Sequence, residues 1–157
     1  MLGNLQKNKV KKAVRLFDMI ETVDSEELAR KIDEECRKID KVMPVLIELN
    51  VAEERQKSGV MPGELDALVG SLMGFPDIRL CGLMVMGPLL DNPQDLRPFF
   101  KEAKQIFDRI RSHYKDRSEW KYLSMGMSDS YKVAIDEGAN MIRVGTAIFG
   151  PRSHEER

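Results

Sequence analysis

Two short strings near the end of the chain hold the residues best suited to chemistry. Ser124-Met-Gly126-Met-Ser128 follows the apolar pair Tyr122-Leu123, and Arg143-Val-Gly145-Thr146 ends or follows a second apolar string. Glycine lets backbone N–H groups approach an anion closely, and a serine or threonine hydroxyl adds a donor at the same place. Ser128, Gly145 and Thr146 are therefore candidates to hold one phosphate between two successive turns. The plainer alternative is that small residues merely make tight turns between packed elements. Arg143 sits in an otherwise apolar string, where a guanidinium must find a partner or water. That partner is either a ligand, through its anion or a ring nitrogen, or a carboxylate such as Glu48 or Asp129. Asn50 near the end of VMPVLIELNV can bond a ligand oxygen or cap its own loop. Met84 and Met86 end IRLCGLMVM, where a soft thioether can lie against a flat ligand or fill a core gap.

Other chemistries lack their residues. No nucleophile–histidine–acid set is apparent, since His113 and His154 fall in polar contexts. Cys36 and Cys81 are far apart, with no CxxC, and read as two buried thiols in a reducing compartment. A phosphate loop ending in GK[ST] and a GxGxxG after a strand are both absent. Lys7, Lys9, Lys11 and Lys12 read as a solvated helix face, and Lys57 as a loop lysine.

The candidates stand at the ends of strands. Residues 19–23, 42–51, 78–86, 121–125 and 141–144 are short apolar runs and read as strands. Residues 8–17, 24–40, 62–75, 95–114 and 129–137 carry helical spacing. Asp24 or Ser25 caps the second helix, Pro62 suits a first helical turn, and Gly138 marks a stop. The strands are apolar throughout instead of alternating, which predicts a mostly parallel sheet covered by helices in one domain. A doubly wound sheet and a barrel both meet that description. In either, ligands sit at the C-terminal ends of strands, where these candidates fall.

Bulk composition narrows the class. With 25 basic against 26 acidic residues the formal charge is −1, which argues against a broad basic nucleic-acid surface. Nothing approaches the ~20 apolar residues of a membrane helix, and no apolar signal core follows the basic N-terminal tract. A cytoplasmic protein is expected. Five strands in 157 residues fall short of the eight that close a barrel, usually in ~250 residues.

Four segments resemble the pyridoxal phosphate homeostasis protein family, with its alanine-racemase-like barrel domain. GNLQKNKVK is similar to the family's G-x-LQ-x-NK segment, LIELNVAEERQKSG to its strand-end asparagine and following K-x-G, and LCGLMVM to its RGLM strand. LSMGMSDSYKVAIDEGANMIRVGTAIFGPR is similar to its C-terminal signature almost throughout. The resemblance implies a TIM-type α/β barrel that binds pyridoxal 5′-phosphate (PLP). It implies that Ser128, Gly145 and Thr146 bind the phosphate, that Arg143 lies near the pyridine nitrogen, that Asn50 and Met84 line the ring, and that Ser124 stands one layer behind. An arginine at the pyridine nitrogen disfavours its protonation and weakens the electron sink, so the implied role is intracellular vitamin B6 homeostasis without vigorous catalysis.

Departures from the pattern shape further expectations. The family's Schiff-base lysine lies in a VSK-like segment ahead of LQ-x-NK, and no lysine here matches it. The resemblance thus implies a barrel lacking its N-terminal third, PLP held non-covalently, and open sheet edges that invite self-association. Asn4 stands where the family often has histidine, and Ser130 where it often has a second aspartate. The competing readings are a scaffold that binds no PLP and, more weakly, an amino-acid racemase.

Overall fold

The structure, a computed structural model, describes residues 1–115 and 119–150. His154 and the Pro151-Arg152 end of the signature string lie outside the described residues. Strands β1 (Ile20–Val23), β2 (Met43–Leu49), β3 (Ile78–Val85) and β4 (Tyr122–Ser124) alternate with helices α1 (Val10–Leu16), α2 (Glu26–Arg37), α3 (Leu65–Leu72) and α4 (Arg97–His113). Helices α5 (Tyr131–Asp136) and α6 (Thr146–Phe149) follow. All strand pairs are parallel, in the order β1-β2-β3-β4. Each strand thus pairs with its successor, the winding of a barrel; a doubly wound sheet reverses order at a switch point. The four strands form an arc of such a barrel.

The expected fifth strand over 141–144 is reduced to one parallel bridge, Ser124 with Met141. Arg143 N–H still reaches the Gly126 carbonyl at 3.0 Å, so this segment continues beside β4 without forming a regular ladder. At the other edge Met1 pairs strand-like with β1. Its amino group donates to the Met19 carbonyl at 2.5 Å, and its carbonyl accepts from Glu21 N–H at 3.0 Å.

Helix boundaries follow local chemistry. Ser25 is extended and its hydroxyl accepts the Leu28 N–H at 3.4 Å, so it caps α2. Asp33, 3% exposed, accepts the Asp77 N–H at 2.8 Å and pairs with Arg37, tying α2 to the turn before β3. Lys41 donates to the Val14 and Phe17 carbonyls at 2.8 and 2.7 Å, at the end of α1.

The sheet has two unlike faces. Met43, Val45, Ile47 and Leu49 of β2 point into the large core shared with α1 to α5. Leu46 points the other way and joins Cys81 and Met84, with Met19, Met86, Tyr122 and Met141 packed against them. This second cluster contains no helix residue, so it marks the inner, concave face. A bulge at Cys81-Gly82 shifts the β2–β3 register, pairing Val45 with Leu80 but Leu46 with Gly82. A Cβ on Gly82 would stand 1.8 Å from the Tyr122 carbonyl oxygen, so only glycine lets β4 approach.

Candidate functional site

The two turns singled out in the sequence meet. Ser128 Oγ accepts N–H bonds from both Gly145 and Ala147, each at 3.2 Å, across 17 and 19 residues of chain. Ser128, Asp129, Arg143, Gly145 and Thr146 line one open concavity of about 420 Å³, with Leu2 on its far wall. Gly145 and Thr146 are exposed, while the Gly145 N–H is taken up by Ser128. The presence of Asp129 means that the concavity is not purely cationic.

Two further contacts hold these turns in place. Asn140 accepts the Leu123 N–H at 2.8 Å and donates to the Lys121 carbonyl at 2.7 Å, fixing the second turn against β4. Ser130 Oγ accepts the Met127 N–H at 3.1 Å, closing the first turn on itself.

The glycines of the two turns differ. Gly126 has φ +87°, and a Cβ there would lie 2.5 Å from the Ala134 Cβ and 3.0 Å from the Tyr131 Cα. Folding alone demands glycine at that position. Gly145 has φ −117°, open to any residue, and a Cβ there would have nothing within 4 Å. Folding does not explain it.

Arg143 is held from the sheet side. Its Nη1 donates to Ser124 Oγ at 3.0 Å, and its Nη2 to the Val85 carbonyl at 2.8 Å and to Met86 Sδ at 3.4 Å. Ser124 is fully buried and donates its own hydroxyl proton to Glu21 Oε2 at 2.8 Å. This contact spans 103 residues and draws the outer strands β1 and β4 together across the concave face. Burial lowers the pKa of Arg143, while Glu21 and Glu48 oppose that shift. Burial raises the pKa of Glu48, Asp24 raises it further, and Arg143 opposes. Of the carboxylates considered in the sequence, Glu48 is thus the one that acts electrostatically on Arg143.

Other candidates lie elsewhere. Asn50, 1% exposed, uses both ends of its amide on Glu54: Nδ2 donates to the carbonyl at 2.8 Å, and Oδ1 accepts the N–H at 3.2 Å. It is a loop cap here and is not among the residues lining the concavity. Met84, 3% exposed, is part of the concave-face cluster and pairs in register with Glu48 and Ser124. Ser124 reaches the concavity only through Arg143. Sequence reasoning missed Glu21 and Leu2. Glu21 carried the same signal as Arg143, a charge inside an apolar strand. Leu2 carried none, because only the chain path brings it opposite Ser128.

A parallel β/α barrel arc that gathers hydroxyls, amide N–H groups and one arginine at its strand ends defines an α/β barrel-type protein. The chain belongs to the alanine racemase N-terminal domain family, which matches residues 1–153, and within it to the pyridoxal phosphate homeostasis proteins. The Aquifex aeolicus pyridoxal phosphate homeostasis protein is 39% identical over 153 residues, covering 98% of this chain and 66% of that protein. The Synechocystis protein of the same name is 35% identical, covering 96% and 68%. The chain thus spans about two thirds of the length of these relatives. PipY of Synechococcus elongatus, solved with PLP bound, superposes with a TM-score of 0.86 at 32% identity, covering 96% of this chain and 69% of that one. Alanine racemase of Clostridium difficile shares the fold, with a TM-score of 0.75 at 17% identity. Among the described residues, no helix is long and apolar enough to cross a membrane.

Proposed function

We propose that this chain binds PLP non-covalently and serves vitamin B6 homeostasis by holding and releasing the cofactor. Gly145 carries the reading. It lines the concavity, its N–H is directed at Ser128 Oγ, and among the described residues no atom beyond its chain neighbours stands within 4 Å of where its Cβ would be. Glycine at a position the fold leaves free suits close approach of a ligand. The donors fit a phosphate: the Ser128 and Thr146 hydroxyls and the Gly145 and Ala147 N–H groups, with Arg143 beside them. An entering phosphate would share the two N–H groups that Ser128 Oγ now accepts.

PLP, when bound, supplies an electron-withdrawing ring. The protein's own part is to grip the phosphate and to set a guanidinium, already spread over Ser124, Val85 and Met86, near the ring. A guanidinium there does not help to protonate the pyridine, which suits carriage better than turnover. Chains of this kind in the cytoplasm would exchange PLP with other proteins. Self-association through the edge strands of the sheet is a further part of the reading.

Titration of the purified chain with PLP, followed by absorbance, tests this. Saturable binding that inorganic phosphate competes away is expected, and borohydride should leave no adduct. Ser128→Ala should weaken PLP about tenfold, with urea unfolding shifted by about 1 kcal/mol or less. A borohydride-stable adduct, or binding indifferent to phosphate, would overturn the reading.

A further inference from the structure

We infer that Glu48 limits how tightly the concavity holds an anion, so that a phosphorylated ligand is bound and then given up. This inference rests on the reading of the concavity as a phosphate site. Glu48 is only 7% exposed, and among the described residues no hydrogen bond reaches its carboxylate. Its oxygens keep some contact with solvent, which meets part of their bonding, but a carboxylate so nearly buried with no protein partner still calls for an explanation.

Its surroundings supply one. Glu48, Met84 and Ser124 form one register row across β2, β3 and β4. Neighbouring strands lie about 4.8 Å apart, so Glu48 and Ser124 are separated by roughly 10 Å along that row. Arg143 joins the row to the concavity: its Nη1 donates to Ser124, and the residue is among those that line the concavity. The charged groups facing this region are Glu21 from β1, Asp24 just after β1, Glu48 from β2, Arg143 after β4, and Asp129 in the concavity itself. One guanidinium therefore stands among four carboxylates.

Glu21 is committed to Ser124 and Asp129 lies at the open rim, whereas Glu48 is buried and unbonded. Its charge is neither tied to a hydrogen-bonded partner nor fully open to solvent. Ionised, it cancels part of the field of Arg143 and repels an incoming phosphate. Protonated, it leaves Arg143 to attract one. Burial favours the neutral form, and the approach of an anion favours it further. The anion lies beyond Ser124, more than about 10 Å away, so at an effective dielectric near 20 one unit charge changes its affinity by about tenfold at most.

The test compares the wild-type chain with Glu48→Gln, which keeps the shape and removes the charge. Three probes are titrated: PLP, pyridoxal without its phosphate, and sulfate, whose charge does not change between pH 5 and 8. At pH 8, Glu48→Gln should bind PLP several-fold and up to about tenfold more tightly, and pyridoxal no differently. Sulfate affinity of the wild type should rise as pH falls through the titration of Glu48, and Glu48→Gln should lack that step. A merely structural role would not tighten binding. If Glu48→Gln binds PLP no more tightly than wild type, or tightens pyridoxal equally, the inference is overturned while the phosphate site stands. If the wild type binds neither PLP nor sulfate, the phosphate site falls and the inference with it.

Discussion

The turn after β4 and the turn before α6 look alike in sequence, a glycine within two residues of a hydroxyl, yet the structure gives them opposite reasons for their glycines. Gly126 is pressed against Ala134 and Tyr131 at positive φ, whereas Gly145 has room and a negative φ. Their hydroxyls divide the same way. Ser130 closes its own turn on Met127, while Ser128 reaches across to Gly145 and Ala147. The first turn is built by packing. Packing does not require the glycine of the second, and one serine of the first turn accepts two N–H groups there. A residue pattern alone does not separate these cases, but the space around a missing Cβ does.

The largest effect should come from Gly126→Ala. A Cβ 2.5 Å from the Ala134 Cβ, at φ +87°, forces helix α5 away from the sheet. A loss of about 3 kcal/mol or more in urea unfolding is expected, from strain and overpacking together. A change under about 1 kcal/mol would erase the contrast between the two turns.

Asn140→Ala comes next. It leaves the Leu123 N–H and the Lys121 carbonyl without their partner. About 1–2 kcal/mol of stability should be lost. Hydrogen exchange at Leu123 should quicken, and PLP binding should weaken as the second turn loosens. Unchanged exchange at Leu123 would show that Asn140 does not join the turns.

Much of this arrangement was legible beforehand. The apolar runs gave β2 and β3, because strands buried on both faces need no alternation. Ser25 and Pro62 marked helix starts through their own backbone chemistry. The fifth strand was not legible as a bridge, because MIRV has strand-forming residues whether or not it has a neighbour to pair with. Nor were the faces of β3: the bulge at Gly82 reverses which residues look inward, and a bulge is a response to β4. The alternatives for Asn50 stayed open in the sequence because an amide suits either use. Its loop settles on Glu54. The link from Ser124 to Glu21 joins residues 103 positions apart, and no local pattern carries it.

The central claim is that the fold leaves Gly145 free for a phosphate. Gly145→Ala should tell most directly, with PLP affinity and thermal unfolding measured on the same preparation. The account predicts a melting temperature close to that of the wild type and PLP binding weakened at least tenfold. Undiminished PLP binding by the alanine variant would contradict it, as would a melting temperature that falls in step with affinity.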